Sequence, residues 1–486
     1  MTTAAGVTEG SLIENRTFEE ITIGESASIV HRLSRADIEL FAVMSGDVNP
    51  AHLDEQFAAR SLFHHVVAHG MWSGALFSAV LGTKLPGPGT IYLGQDLHFL
   101  RPIQIDDTVT VTVAVREKHP EKHIVVFDCR AVNQAGVEAV RGTAEVKAPT
   151  EKIRLLPAEL PEVELRHHDR FRKLIERCHA LAPVVTAVVH PCDGATLAAV
   201  REAAEAGLIQ PVLVGPEAKI RAAAEAAGIN VTPFRLVSTP HSHAAAAEAV
   251  NLVRTGQAQA IMQGSLHTSE LLPEVTAAAS GLRTGRLMTH VFLLDVPSYS
   301  KPLLLTDAAI NFFPTLPDKK EICQNAIEVA QAIGIAEPKV AILAAVETVS
   351  EKLPSTLDAA ALCKMADRGQ ITGGIVDGPL AFDNAVSPEA ARLKGITSRV
   401  AGNADILVVR DLEEGSLLVK QLAFFAGAEA AGIVVGARVP IILANRADGL
   451  RSRLTSCAAA VLLAEAARCG TALISGNSSS SLDQAA

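Results

Sequence analysis

The rhythm of apolar and polar positions changes near residue 150, and the change divides the chain in two. Before it, one helical block is followed by strand-like alternation; after it, short apolar runs and Ala-rich helical stretches take turns. In the first part Ser34 is placed to cap a helix from Arg35, whose Ile38, Phe41 and Ala42 share one face, with Gly46 as its stop. A second helix is predicted over about 71–81. Beyond the Gly/Pro turn at 86–89, the segments 95–101, 107–117 and 124–133 read as strands, the last two alternating as half-exposed strands do. A further strand at 140–146 completes an antiparallel sheet with helices laid on one face, an α+β arrangement.

Residues 150–165, with two prolines and several charges, read as a linker. From Pro183 the pattern is strand, helix, strand, helix: PVVTAVVH, PVLVG, AIMQG, HVFLLDV, PLLLTD, KVAILAAV, ITGGIVDG, ADILVV, AGIVVG and PIILA are the apolar runs. Such runs between helices predict a mostly parallel sheet covered on both faces, forming one large domain or two lobes around a cleft. Ser355 with Asp358 is read as a capping box, Gly369 as a helix exit, and Ser387-Pro388 as the start of a helix that stops at Gly395. The expected units are 12–149, 166–474 and a flexible polar tail over 475–486.

Composition narrows the function classes. Charges number 43 positive and 53 negative, a net of −10, with no basic stripe for nucleic acid. The seven cysteines include no C-x-x-C pair, and an odd total suits neither a disulfide framework nor a zinc cage. No apolar stretch reaches membrane length and the N-terminus lacks a signal-like core, so a cytoplasmic location and no membrane partner are expected.

Candidate chemistry first gathers at Ser45-Gly46-Asp47-Val48-Asn49-Pro50-Ala51-His52. The chain leaves a helix through Gly46 and turns at Asn49-Pro50, which can bring Asp47 and His52 to one side of the loop. A carboxylate and an imidazole facing one water form a general acid/base pair; a capped turn with a surface hydrogen bond is the plainer reading of the spacing alone. The D-x-N-P-x-H pattern after a helix ending in SGD resembles the MaoC-like, (R)-specific enoyl-CoA hydratases of the hot-dog fold. VAHGM at 67–71 and DLHFLRPI at 96–103 extend the resemblance over about 15–147. It implies that Asp47 and His52 activate the water added across a double bond, that Asn49 belongs to the substrate site, and that Gly70 presents its N–H to the thioester oxygen. A glycine there suits close approach of a thioester to the start of a helix. His64, His65 and His69 cluster in sequence, but no carboxylate or thiolate stands at ligand spacing, and no metal is expected.

In the second part, Gly- and Ser/Thr-rich loops follow predicted strands, where open α/β sheets bind ligands. No P-loop or G-x-G-x-x-G stands in the right setting. Each loop alone reads as a turn. Together, QGSLHTSELL, HVFLLDVPSY, LLTDAAINFFPT, DGPLAFDNAVSPEAA and VPIILANRAD resemble the phosphate acetyl/butyryltransferases over about 166–470, with DGPLAFDNA closer to the butyryl-type branch. The resemblance implies that Arg446 holds phosphate and that Ser265, His267, Thr268 and Ser269 supply donors, with Asn311 and Asp377 positioning reactants. Where that family has serine before the arginine, this chain has Asn445, and the family's PDLE-A-G-N reads RDLEEGS at 410–416.

The fold class expected is therefore an α+β hot-dog domain fused to an α/β phosphate acyltransferase. The implied function is two-fold: hydration of trans-2-enoyl-CoA to (R)-3-hydroxyacyl-CoA, and acyl transfer between CoA and inorganic phosphate. No cofactor is implied; acyl-CoA and phosphate are the substrates, and a homo-oligomer of at least two chains is expected. Two rivals remain open, a hydratase with an inactive acyl-CoA-binding lobe and a non-catalytic scaffold for acyl-CoA enzymes.

Overall fold

The computed structural model describes residues 12–156, 158, 160–161, 163, 165, 169–278, 282–443 and 448–470. It divides into two units, Met1–Leu165 and Arg166–Ala486.

The N-terminal unit opens with β1 (Ile13–Glu14), β2 (Ser26–Arg32), α1 (Arg35–Ser45), α2 (Pro50–Leu53), α3 (Glu55–Arg60) and α4 (Gly70–Thr83). It continues through β3 (Ile91–Phe99), β4 (Thr108–His119), β5 (Ile124–Val132), β6 (Glu138–Lys147) and β7 (Arg154–Leu155). β2, β4, β5, β6 and β3 form, in that order, one antiparallel sheet. Along β4 the alternation is strict: Val109, Val111, Val113 and Val115 are buried, and the threonines between them half-buried. Burial of such a side chain is worth about 1.5–3 kcal/mol, and a one-residue slip would turn all four outward, so the pattern fixes the register. The valines face α4, whose Trp72, Phe77, Val80 and Leu81 fill the same core. A helix laid on one face of a five-stranded antiparallel sheet is the hot-dog arrangement.

Ser34 caps α1 with a reciprocal box to Asp37, and Gly46 closes it in the left-handed region at φ 75°. The expected linker begins inside this unit. Arg154–Leu155 pairs with Ile13–Glu14, and the Lys152 ammonium donates to the Asn15 carbonyl. Strand β2 is not among the predicted elements: it alternates exposed Ser26, Ser28, Val30 and Arg32 with half-buried Ala27, Ile29 and His31, a face too polar to mark a strand.

The C-terminal unit runs through α5 (Asp169–Cys178), β8 (Val184–Val189), α6 (Gly194–Glu205), β9 (Ile209–Gly215), α7 (Glu217–Ala226) and β10 (Arg235–Ser238). Next come α8 (Ser242–Arg254), β11 (Ala260–Gln263), α9 (Thr268–Thr276), β12 (Thr289–Asp295), β13 (Leu303–Thr306), α10 (Leu316–Ala332) and β14 (Lys339–Leu343). The rest is α11 (Pro354–Asp367), β15 (Ile375–Leu380), α12 (Phe382–Val386), α13 (Pro388–Leu393), β16 (Ile406–Val408), α14 (Leu412–Phe425), β17 (Glu429–Val435), β18 (Ile441–Ile442) and α15 (Leu450–Arg468).

Its sheet has eleven strands, ordered β10-β9-β8-β11-β18-β17-β12-β13-β16-β14-β15. The five at one end are mutually parallel, as are the four at the other. Between them β17 is antiparallel to β18, and β12 is antiparallel to both β17 and β13. The two parallel halves therefore run in opposite directions. One core cluster covers a whole face, drawing on β8, β12, β14 and β16 together with α5, α6, α10 and α15. The other face carries two separate clusters, and His290 and Gly432 sit on the central strands where these meet. A Cβ on Gly432 would stand 2.6 Å from the His290 ring, so the junction admits only glycine beside that imidazole.

One capping expectation is corrected. α11 begins at Pro354 with Leu353 at its N-cap and no side-chain cap, because the proline's fixed φ starts the helix two residues earlier than Ser355 would. Asp358 instead accepts from the Lys319 ammonium at 2.7 Å. The tail over 475–486 lies outside the described residues.

Candidate functional site

In the N-terminal unit, two loops cross. The segment before α4 is held by the Ala68 N–H on the Ile103 carbonyl, which fixes His69 as the N-cap of that helix. His52 Nδ1 lies 2.8 Å from the Val67 carbonyl, and His69 Nε2 lies 3.1 Å from the Asp47 carbonyl. A carbonyl can only accept, so these nitrogens carry the protons. A neutral His52 then keeps its Nε2 lone pair free, as a general base requires. The ring centroids are 4.0 Å apart. His69 is buried, its Nδ1 has no partner, and burial lowers its pKa, so it stays neutral.

Asp47 is exposed, and a ligand-type atom from each of Asp47, His52 and His69 lies within 4.8 Å of the others. The sequence thus locates Asp47 and His52 together but misses His69 as their companion. His69 stands in the VAHGM stretch, close in sequence to His64 and His65; neither of those belongs to the group. Beside it lies a cavity of about 350 Å³, lined by His52, His69, Gly70, Phe63, Phe99 and Ile103 among others. Gly70 is the first residue of α4, which no side chain caps. A Cβ there would come within 3.2 Å of the Phe99 ring. The Asn49 side-chain oxygen accepts from the Ala51 N–H and caps α2, which leaves its amide N–H groups for a ligand.

In the C-terminal unit, a cavity of about 520 Å³ opens at the Gly264 loop, lined by Gln263, Gly264, Ser265, Leu266, His267 and Thr268, and by Asp193, Thr196 and Arg453. The first turns of α6 and α9 contribute to it, and α15 adds the side chain of its fourth residue, Arg453. Helix N-termini carry partial positive charge and unpaired N–H groups, so two of them with a guanidinium suit an anion, which would sit beside the Asp193 carboxylate that caps α6 through the Thr196 N–H. Arg453 is 7% exposed, and its Nε donates to the Asp448 carbonyl. The sequence does not single out Arg453, because LRSRL reads as ordinary helix surface until the fold buries it, nor Asp193, which reads as a helix cap.

The donors are not equally free. The Ser265 hydroxyl accepts from the Cys192 N–H and donates to the His190 carbonyl, which ties the β8 and β11 loops together. Thr268 donates to Gln263, the His267 N–H to Glu270, and Ser269 is exposed outside the cavity lining. Gly264 packs so closely that a Cβ would stand 2.4 Å from the Val189 carbonyl oxygen. Asn311 and Asp377 are not brought to this loop by the strand order. Asn311 follows β13, in the half running the other way, and its amide donates to Asp307 and the Met288 carbonyl. Asp377 lies within edge strand β15 and accepts from the Gly378 N–H, so it stands in a strand and not in a loop. Asn445 and Arg446 lie outside the described residues.

The comparisons with known proteins follow this division. A family model described as phosphate acetyl/butaryl transferase matches residues 238–461, and one described as MaoC like domain matches 18–134. Over 295 residues the chain is 58% identical to a phosphate acetyltransferase of Rhizobium meliloti, covering 61% of this chain and 93% of that one. A crystal structure of a branched-chain phosphotransacylase from Enterococcus faecalis is 32% identical, with 58% of this chain and 99% of that one covered and a TM-score of 0.52. An unliganded R-hydratase, PhaJ1, from Pseudomonas aeruginosa is 46% identical over 32% of this chain and 99% of its own, with a TM-score of 0.31.

The chain belongs to the phosphate acetyl/butyryltransferase family and carries a MaoC-like hot-dog domain ahead of that part. Among the described residues no helix is long and apolar enough to cross a membrane.

Proposed function

We propose that the C-terminal unit transfers an acyl group between CoA and inorganic phosphate, and that the N-terminal unit hydrates trans-2-enoyl-CoA to (R)-3-hydroxyacyl-CoA. The observation that carries the first activity is the convergence of the N-termini of α6 and α9 with the Arg453 side chain on the Gly264 cavity, in a chain of this family. A phosphate oxygen attacks the thioester carbonyl carbon, the tetrahedral oxyanion collapses, and the C–S bond breaks to release CoA thiolate. Positive ends of helices hold the phosphate and offset the oxyanion. Arg446, placed in this role by resemblance, adds a fork of donors matched to phosphate.

For the hydratase, water is held between the Asp47 carboxylate and His52 Nε2. The base takes its proton as the oxygen attacks C3, and the proton is returned to C2. The Gly70 N–H meets the thioester oxygen as enolate charge develops. The dimer expected for this unit has support in β3, an edge strand with Ile91, Leu93 and Phe99 each about half exposed.

Purified protein with acetyl-CoA or butyryl-CoA should release free thiol only when phosphate is added. Failure at high enzyme concentration would leave the second reading, a working hydratase with a binding-only lobe, which Asn445 favours because an amide cannot relay a proton to the leaving sulfur. Asn445→Ser separates the two further: a faster thiol release supports transfer at this site, and an unchanged rate removes that position from the chemistry.

A further inference from the structure

We propose that the C-terminal unit has a second ligand site, for a nucleoside polyphosphate, at the strand ends opposite the Gly264 loop. A cavity of about 600 Å³ there is lined by Arg283, Arg286, Arg438 and Arg468, with Glu328 as the one carboxylate. Four guanidinium groups in one hollow repel each other, and the chain as a whole is acidic, with 53 carboxylates against 43 basic residues. Internal pairing accounts for only part of the cluster. Arg286 is bonded to Glu328 at 2.6 Å and Arg468 to Glu465 at 2.8 Å. Arg286 Nη2 is still buried without a partner. The side chains of Arg283 and Arg438 make no hydrogen bond or ion pair among the described residues.

These two arginines stand on a fixed backbone. Arg283 forms an antiparallel bridge with Ala437, the Arg438 N–H donates to the Leu282 carbonyl at 3.0 Å, and the Thr284 hydroxyl donates to the Gly436 carbonyl at 2.6 Å. Their guanidinium groups therefore leave adjacent, stitched segments, which lowers the ordering cost of binding.

The lining also sets the ligand class. Guanidinium forks match phosphate oxygens in pairs and stack on planar rings. Much of the remaining wall is apolar, with Val329, Val435, Val439, Pro440 and Ala464, and Gln259 and Asn325 add polar groups for a base edge. Free phosphate would fill a small part of a cavity in the size range of small-molecule sites. A phosphate chain on a flat heteroaromatic body uses both halves.

The site is separate from the acyltransfer cavity. It borders the turn between β17 and β18 and the residues just before β11, whereas the Gly264 loop leaves the far end of β11. Along α15, Arg453 of one cavity and Ala464 of the other are roughly 16 Å apart.

Calorimetric titration of the whole chain with ATP, ADP and inorganic phosphate tests this. Saturable ATP binding is expected, weakening with added salt and falling by about tenfold or more in the Arg283→Ala, Arg438→Ala double variant. Both residues are exposed, so the variant should keep its unfolding midpoint and its thiol release from acetyl-CoA with phosphate. No saturable heat with ATP overturns the proposal. So does equal ATP binding in the variant, which would put the nucleotide in the acyl-CoA cavity, and so does phosphate binding as tightly as ATP, which would make this a simple oxyanion site.

Discussion

His52 and His69 are locked to each other's loops: His52 bonds the Val67 carbonyl two residues before His69, and His69 bonds the Asp47 carbonyl five residues before His52. Neither ring can shift without releasing the other segment. His52→Ala should lower hydration of crotonyl-CoA by roughly 10²–10⁴-fold through loss of the base. His69→Ala removes no proposed proton carrier, yet it unpins the Asp47 loop and should cost roughly 10²-fold in kcat. A full rate in the His69 variant would show that the lock does not position the dyad.

The same three side chains raise the question of a metal, since their ligand-type atoms lie within 4.8 Å of one another. Both rings, however, have one nitrogen committed to a carbonyl, and the remaining His69 Nδ1 is buried. Acid/base hydration through Asp47 and His52 needs no Lewis acid. Hydratase activity should therefore survive dialysis against EDTA and should not rise when zinc or manganese is added. Loss on chelation with recovery on metal addition would replace the dyad with a metal mechanism.

Gly264 offers a separation of the two activities. Its missing side chain lets the loop lie against the Val189 and His190 carbonyls, where a Cβ would stand 2.4 and 2.9 Å from oxygen. Gly264→Ala must push the loop away, at about 1–3 kcal/mol, and with it the Ser265 bridge and the start of α9. Thiol release with phosphate should fall by an order of magnitude or more, while crotonyl-CoA hydration is unchanged. A variant that keeps its transfer rate would show that the Gly264 loop does not shape the reacting site.

Much of this architecture is legible in the chain because short-range rules decide it. The valine alternation of β4 fixes strand and register, and Ser34 with Gly46 brackets α1. Every apolar run singled out after Pro183 is a strand in the sheet. What stays hidden is set by long-range pairing. That β12 runs against both neighbours, sending Asn311 and the Gly264 loop to different strand ends, cannot be read from HVFLLDV. Arg453 looks like a surface residue until α15 is buried, and that the Asn49 oxygen caps α2 shows only in the fold. Sequence motifs point to candidate loops; the commitments of individual polar atoms require the fold.

His290 should make the C-terminal unit acid-sensitive. It is fully buried between two clusters, its Nδ1 has no partner, and burial pushes its pKa down to about 3 from an ordinary 6.5. The folded ring therefore refuses a proton that the unfolded chain accepts below about pH 6.5. The unfolded state then binds more protons, so stability falls as the pH falls, by about 1.4 kcal/mol per unit in that window. Between pH 7 and pH 5 the loss from this residue is about 2 kcal/mol. Asp307, raised by burial, acts in the opposite sense, so the effect is isolated by comparing wild type with His290→Leu. The apolar replacement abandons no hydrogen bond at Nδ1 and should gain on the wild type by about 2 kcal/mol at pH 5 relative to pH 7. The single tryptophan, Trp72, belongs to the N-terminal unit, so urea unfolding should be followed by far-UV circular dichroism. A difference between the two proteins that does not change with pH would mean that His290 takes up its proton in the folded state.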